Sequence, residues 1–291
     1  MERWPNFFIV GAPKAGTTSL YEYLKGIPGI YMSPVKEPRY FSATTLPKKH
    51  DLRPIRDKKK YLNLFKKAKD EKIIGEASPT YLADPAAPKL IHDMAPDARI
   101  VITLRDPVER LFSSYFHLLR YGARKMSFSD ALKVELARRT DGTKVHIKLE
   151  DGLYSKNLRT YMDIFGQDQV KVLIFEEWVK NAKVAVEEIL RFLGLNYSLD
   201  DFESEAYNAF LAVRGQIAQS VLTNRAIALI AKSIVPRSTR IFLKETFLFK
   251  REPKPTMDHE SREILVQFYK DDVQKLETML GRKLPWPNFQ N

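Results

Sequence analysis

Phe7-Phe8-Ile9-Val10-Gly11-Ala12-Pro13-Lys14-Ala15-Gly16-Thr17-Thr18-Ser19-Leu20 is the segment from which the rest of the chain can be read. Phe7 to Gly11 is an apolar run of strand length closed by glycine. Thr17 to Lys25 follows as a helix with Leu20, Tyr21 and Leu24 on one face. Between them lies a phosphate cradle in physical terms. Glycine allows close backbone approach, successive N–H groups at a helix start point at an anion, and the helix dipole adds to the attraction. Lys14 supplies a mobile cation and Thr17 and Thr18 supply hydroxyl donors. The cradle spans Pro13, Lys14, Ala15, Gly16, Thr17, Thr18 and Ser19.

Outward from this segment, strand-length and helix-length patterns alternate. Strands are predicted at Lys72–Gly75, Ala98–Leu104 and Val170–Phe175. Helices are predicted at Ala87–Met94, from Pro107 to about Tyr121, at Ser127–Arg138, at Ser155–Phe165 and at Asn181–Leu193, the last with Val184, Ile189, Leu190 and Leu193 inward. Asp106 reads as the N-cap of the helix that Pro107 opens. The alternation predicts an α/β fold: a three-layer parallel sheet whose ligands sit at the carboxyl ends of the strands. Residues 206–247 read as mostly helical, Phe249–Pro255 as a basic loop and Asp258–Leu280 as a closing helix. The expectation is one domain over 1–291, with an α/β core to about residue 195 and a helical cap beyond it.

Composition narrows the function. The 291 residues carry 48 Lys and Arg against 36 Asp and Glu, a net charge of +12, which favours an anionic partner. Cysteine is absent, which excludes disulfides, zinc–thiolate sites and a cysteine nucleophile. No signal peptide is visible, and Leu222–Leu243 is broken by Arg225, Lys232, Pro236, Arg237 and Arg240, so no membrane span is expected. The expected location is the cytoplasm.

The loop is not that of nucleoside triphosphatases, because Lys14 precedes Gly16 by two residues and the Ile100–Leu104 strand ends in Arg105 instead of a metal-binding Asp. A second motif, Arg105-Asp106-Pro107-Val108-Glu109-Arg110-Leu111-Phe112-Ser113-Ser114-Tyr115, begins at that strand's end. Arg105 and Ser113, about two helical turns apart, could converge on one anion.

Together these motifs resemble the two nucleotide anchors of sulfotransferases that use 3′-phosphoadenosine-5′-phosphosulfate (PAPS). Pro13, Lys14, Gly16, Thr17 and Thr18 match the 5′-phosphosulfate loop. Arg105 and Ser113 match the 3′-phosphate signature. The pattern is closest to the glycan and heparan-sulfate type, in a soluble bacterial-type member. The resemblance continues through Gly152-Leu153-Tyr154-Ser155, Val170 to Glu177 and Phe192-Leu193-Gly194-Leu195. It implies that Lys14 contacts the sulfuryl group and the leaving phosphate oxygen, and that Lys250 and Arg251 belong to a late basic loop over the 3′-phosphate. The loop's usual glycine is absent in Phe249-Lys250-Arg251.

Sulfuryl transfer needs a base for the acceptor proton and a cation for the leaving oxygen, and the modest charge of a sulfuryl group makes a metal unnecessary. Lys36-Glu37-Pro38-Arg39-Tyr40-Phe41 resembles the family segment whose glutamate is the base. Glu76-Ala77-Ser78-Pro79-Thr80-Tyr81 resembles another active-site segment, with Ala77 where a lysine is usual. Both Glu37 and Glu76 are therefore candidates, Glu37 first. None of the five histidines sits in a catalytic context. The implied reaction moves a sulfuryl group to a hydroxyl (or amine) of a carbohydrate or other alcohol. The rivals are another phosphate-loop enzyme, such as a nucleotide kinase, and a polyanion-binding module, although no nucleic-acid motif is visible. The basic excess concentrates in 48–72 (net +7) and 222–254 (net +6); 48–72 reads either as a solvated helix face or, with 222–254, as the rim of an entrance for an anionic acceptor.

Overall fold

The computed structural model describes residues 3–46, 54–120, 126–137, 147–200, 202, 211–213, 249–251 and 255–290. Five strands, β1 (Phe7–Gly11), β2 (Ile30–Met32), β3 (Ile73–Ala77), β4 (Arg99–Leu104) and β5 (Val170–Ile174), form one sheet in the order β2-β3-β1-β4-β5. Every neighbouring pair is parallel. Two further strands, β6 (Leu211–Val213) and β7 (Phe249–Arg251), pair antiparallel with each other. The helices among the described residues are α1 (Thr17–Lys25), α2 (Lys58–Leu62), α3 (Ala87–Met94), α4 (Pro107–Arg120), α5 (Phe128–Leu136), α6 (Tyr154–Phe165), α7 (Phe175–Trp178), α8 (Ala182–Phe192) and α9 (His259–Leu280).

The expected parallel α/β sheet is present. All five residues of β1 and all five of β3 are buried, as strands covered on both faces must be. Alternation sends Phe7, Ile9 and Val101 to one face, where they pack with Leu20, Tyr21 and Leu24 of α1 and Val186, Ile189 and Leu190 of α8. The pair α3 and α6 belongs to the other face, where Tyr161 of α6 donates to the Tyr81 carbonyl at 3.1 Å. One inward assignment fails. Val184 is 43% exposed, because the buried stripe of α8 runs through Ala182, Ala185, Val186, Ile189 and Leu190, which places Val184 on the opposite side.

Several boundaries moved. β3 runs on to Ala77, so Glu76 lies inside the sheet instead of after it. β2 was not expected; it is a three-residue edge strand, too short to show a period. The C-terminal portion, expected as mostly helical, also contains strand. Leu211–Val213 and Phe249–Arg251 are strands, the latter in place of the expected basic loop, because the two segments exchange ladder hydrogen bonds across 35 intervening positions. The rest of 206–247, Leu222–Leu243 included, lies outside the described residues. Among those described, no helix is long and apolar enough to cross a membrane.

Contacts divide the chain into two units: 1–110, 150–207 and 268–291 in the first, 111–149 and 208–267 in the second. The second unit draws on both the central and the C-terminal sequence, so this division does not follow the expected partition near residue 195. Within it, Phe128 packs edge-on against Phe112 at 4.9 Å and Tyr115 at 5.4 Å, and the Ser127 hydroxyl caps α5 by accepting from the Asp130 N–H at 3.0 Å.

Candidate active site

The carboxyl ends of β1, β3 and β4 gather the first unit's chemistry along one edge of the sheet. Gly16 opens α1 at φ +81°, and no side chain caps that helix, so its first N–H groups are available to an anion. Beneath the loop lies a support that the sequence did not reveal. The Trp178 indole N–H donates to the Thr103 hydroxyl at 2.8 Å, and that hydroxyl donates to the Ala15 carbonyl at 2.8 Å. The Ala12 N–H donates to the Thr103 carbonyl at 2.6 Å. A Cβ on Gly16 would lie 2.2 Å from the Trp178 ring, so glycine is required by both space and backbone angle. We expect Gly16→Ala to cost about 2–4 kcal/mol, from overpacking and the left-handed backbone together, read as a loss of urea midpoint at unchanged slope.

Arg105, at the end of β4, reaches this loop. Its Nη1 donates to the Lys14 carbonyl at 3.0 Å and its guanidinium lies 4.7 Å above the Phe175 ring. Its Nε is buried with no hydrogen-bond partner among the described residues. The two anion motifs are thus joined directly, and a guanidinium with donor capacity in reserve fits a phosphate. Asp106 is the expected N-cap, its Oδ1 accepting from the N–H of Val108 at 2.9 Å and of Glu109 at 3.3 Å. Ser113 lies on α4, half-buried, in the second unit. Lys250 and Arg251 form part of β7, and their side chains fall outside the described portion.

The two glutamates occupy contrasting surroundings. The Glu37 N–H donates to the Ala77 carbonyl at 2.9 Å, and the Ser78 N–H to the Ile9 carbonyl at 3.1 Å, which ties the glutamate segment to the ends of β3 and β1. The Glu37 carboxylate is 28% exposed and held by Lys36 Nζ at 2.7 Å and by Arg39 Nη2. Glu76 is completely buried. Its Oε1 accepts from the hydroxyls of Tyr61 and Tyr81, each at 2.8 Å, and its Oε2 from Ser78 at 2.6 Å. Burial pushes its carboxyl up to about 7, against the three hydroxyl hydrogen bonds, and the nearby Glu37 charge adds to the rise. The Ser78 hydroxyl also accepts from the Arg39 N–H at 3.1 Å, which links the two segments.

Among the described residues, the non-glycine positions with positive φ are Lys14 (69°), Glu37 (60°) and Arg39 (53°). Backbone strain of this kind gathers where a site over-determines its geometry, and all three lie at this edge. The sequence nominated Lys14, Glu37, Glu76 and Arg105, and the structure places all four at this edge. Sequence reasoning missed the supports Thr103 and Trp178 and the hydroxyls of Tyr61, Ser78 and Tyr81, whose partners lie far away in sequence.

The class thus defined is a parallel α/β sheet whose first loop is bonded directly to the residue after its fourth strand, Arg105 on the Lys14 carbonyl. The Sulfotransferase family model matches residues 35–199, a range that includes Glu37, Glu76, Arg105 and Ser113, and the chain belongs to that family. A sulfotransferase crystal structure from Alicyclobacillus acidocaldarius is 32% identical with a TM-score of 0.73, covering 97% of this chain and 98% of that one. Human carbohydrate sulfotransferase 15 is 27% identical over 248 residues, 66% of this chain and 44% of its own length. Mouse heparan sulfate glucosamine 3-O-sulfotransferase 6 is 27% identical over 199 residues, 68% of this chain and 55% of its own. The chain therefore spans about half the length of these curated relatives.

Proposed function

We propose that the protein transfers a sulfuryl group to a hydroxyl, or an amine, of a carbohydrate or other alcohol, with PAPS as donor and 3′-phosphoadenosine-5′-phosphate as co-product. The observation that carries this reading is the bond between the two anion motifs, the Arg105 guanidinium on the Lys14 carbonyl. The named relatives act on carbohydrate and heparan sulfate, which supports the acceptor class. PAPS supplies, when bound, a sulfuryl group already activated on a phosphate leaving group.

The chain's residues divide the remaining tasks. The uncapped N-terminus of α1, with the Thr17 and Thr18 hydroxyls, holds the 5′-phosphate. Lys14 neutralises charge on the sulfuryl and leaving oxygens. Arg105 takes the 3′-phosphate with its spare donor; Ser113, Lys250 and Arg251 enter the proposal only through the family resemblance of their motifs. Glu37 is the base: its carboxylate is partly exposed, whereas Glu76 reaches no solvent and is engaged by three hydroxyls. Lys36 and Arg39 hold and aim the Glu37 carboxylate. The cytoplasmic location and the absence of a nucleic-acid partner belong to the same proposal.

Thermal unfolding in 3′-phosphoadenosine-5′-phosphate compared with Mg-ATP tests the reading. A ligand at 100 times its Kd adds about 2.7 kcal/mol, or roughly 5–10 °C for a chain of this size. The 3′-phosphorylated nucleotide should give that shift and Mg-ATP much less. Equal shifts would overturn the cofactor assignment, and ATP turnover would favour the kinase reading.

A further inference from the structure

The C-terminal segment after α9 is wired to Glu176, Glu177 and Asp106, the last of them next to Arg105, and neither anion motif accounts for it. Arg282, just beyond α9, grips both carboxylate oxygens of Glu177, at 2.6 and 2.8 Å. The chain then delivers Trp286, completely buried, whose indole N–H donates to Glu176 Oε2 at 2.9 Å. The other oxygen of that carboxylate accepts from the Asp106 N–H at 3.1 Å. Two residues on, Asn288 Nδ2 donates to Asp106 Oδ2 at 2.7 Å, while Asp106 Oδ1 caps α4.

We propose that the segment 284–289 is a positioning strap for the 3′-phosphate contact, with Trp286 and Asn288 as positioning residues that act through Glu176 and Asp106 on Arg105. Phe175, next to Glu176, lies under the Arg105 guanidinium, and the Tyr154 hydroxyl donates to the Arg105 carbonyl at 2.9 Å with its ring against Trp286. The peptide unit following Arg105 is therefore clamped through its N–H by Glu176 and through its carbonyl by Tyr154. Trp286 fixes Glu176 from behind. Asn288 fixes Asp106 and with it the direction in which the backbone leaves β4. Asp106 is 1% exposed, so losing the Asn288 donor leaves a buried carboxylate oxygen unsatisfied, and the cheapest relief is a shift of the 105–106 backbone. A sub-ångström shift there moves the tip of a long guanidinium by more.

This inference rests on the nucleotide reading of Arg105, and the test separates the two. Binding of 3′-phosphoadenosine-5′-phosphate and of adenosine 5′-monophosphate is measured by calorimetry for the native chain, Asn288→Ala and Trp286→Phe, below the melting transition of each. Only the first nucleotide carries a 3′-phosphate, so the ratio of the two affinities reports on Arg105 and cancels general destabilisation. We expect the native chain to favour the 3′-phosphorylated nucleotide and each variant to lose about tenfold of that preference, the equivalent of one charge-assisted hydrogen bond. Loss of the preference with retained monophosphate binding supports the strap. A native chain without preference overturns the nucleotide reading itself. A native preference that both variants keep, or a parallel loss of both nucleotides or of the fold in both variants, assigns the strap a structural role alone and overturns this inference.

Discussion

Replacing Lys14 by Ala is expected to lower kcat about 100- to 1,000-fold, the usual effect of removing one preorganised charge from a developing anion. The variant should fold normally. Lys14 sits at φ 69°, but Ala carries the same Cβ and meets the same left-handed penalty, so the backbone cost is already present in the native chain. The loop's other supports are untouched, because Arg105 bonds the Lys14 carbonyl and not its side chain. The change should therefore fall on kcat more than on nucleotide affinity, which the α1 N-terminus and Arg105 sustain. Steady-state kinetics with saturating donor checks this. Turnover within threefold of the native rate would remove Lys14 from the leaving-group role.

The second large effect separates the two glutamates. Glu37→Gln should lower kcat by about 100- to 10,000-fold, the range of general-base catalysis, with little change in stability because the carboxylate is partly exposed. Glu76→Gln should instead change how stability depends on pH. In the unfolded chain this carboxyl ionises near 4.5, whereas in the fold burial holds its proton to about 7. Between those values the unfolded state binds fewer protons than the native one, so the Glu76 contribution to stability falls as pH rises through the window and is level on either side. Some 2.5 units at 1.36 kcal/mol each make the loss about 3 kcal/mol. Urea unfolding from pH 4 to 8 should show this decline in the native chain relative to the Gln variant. Parallel curves would show that Glu76 does not titrate in this range, and normal turnover in Glu37→Gln would return Glu76 to candidacy as the base.

Much of the site was legible because its information is local. The order apolar strand, Gly-containing loop and helix is written into Phe7–Lys25, and the second motif is equally contiguous from Arg105 to Tyr115. Spacing within one segment fixes which side chains leave a strand end together, so Lys14 and Arg105 needed no tertiary information. The β2 edge and the β6–β7 pair were not legible, since three residues carry no measurable period and their pairing is decided by distant chain. Val184 was misplaced for a related reason. A hydrophobic residue can fit a helix yet lie off its buried stripe, and only the facing sheet determines where the stripe runs.

The sequence by itself determined the parallel α/β fold, the glycine-containing loop between β1 and α1, the Arg105 motif and the pair of glutamate candidates, because each is encoded by periodicity or by neighbours a few residues apart. The tertiary structure decided the surroundings of each member of that set. Glu76 differs from Glu37 through a cage of hydroxyls contributed by Tyr61, Ser78 and Tyr81, and Gly16 is enforced by Trp178, 162 positions away. Asp106 is held by Asn288 across 182 positions. Burial and hydrogen-bond partners set a group's charge and direction, and these arise only when the folded chain brings distant donors to one place.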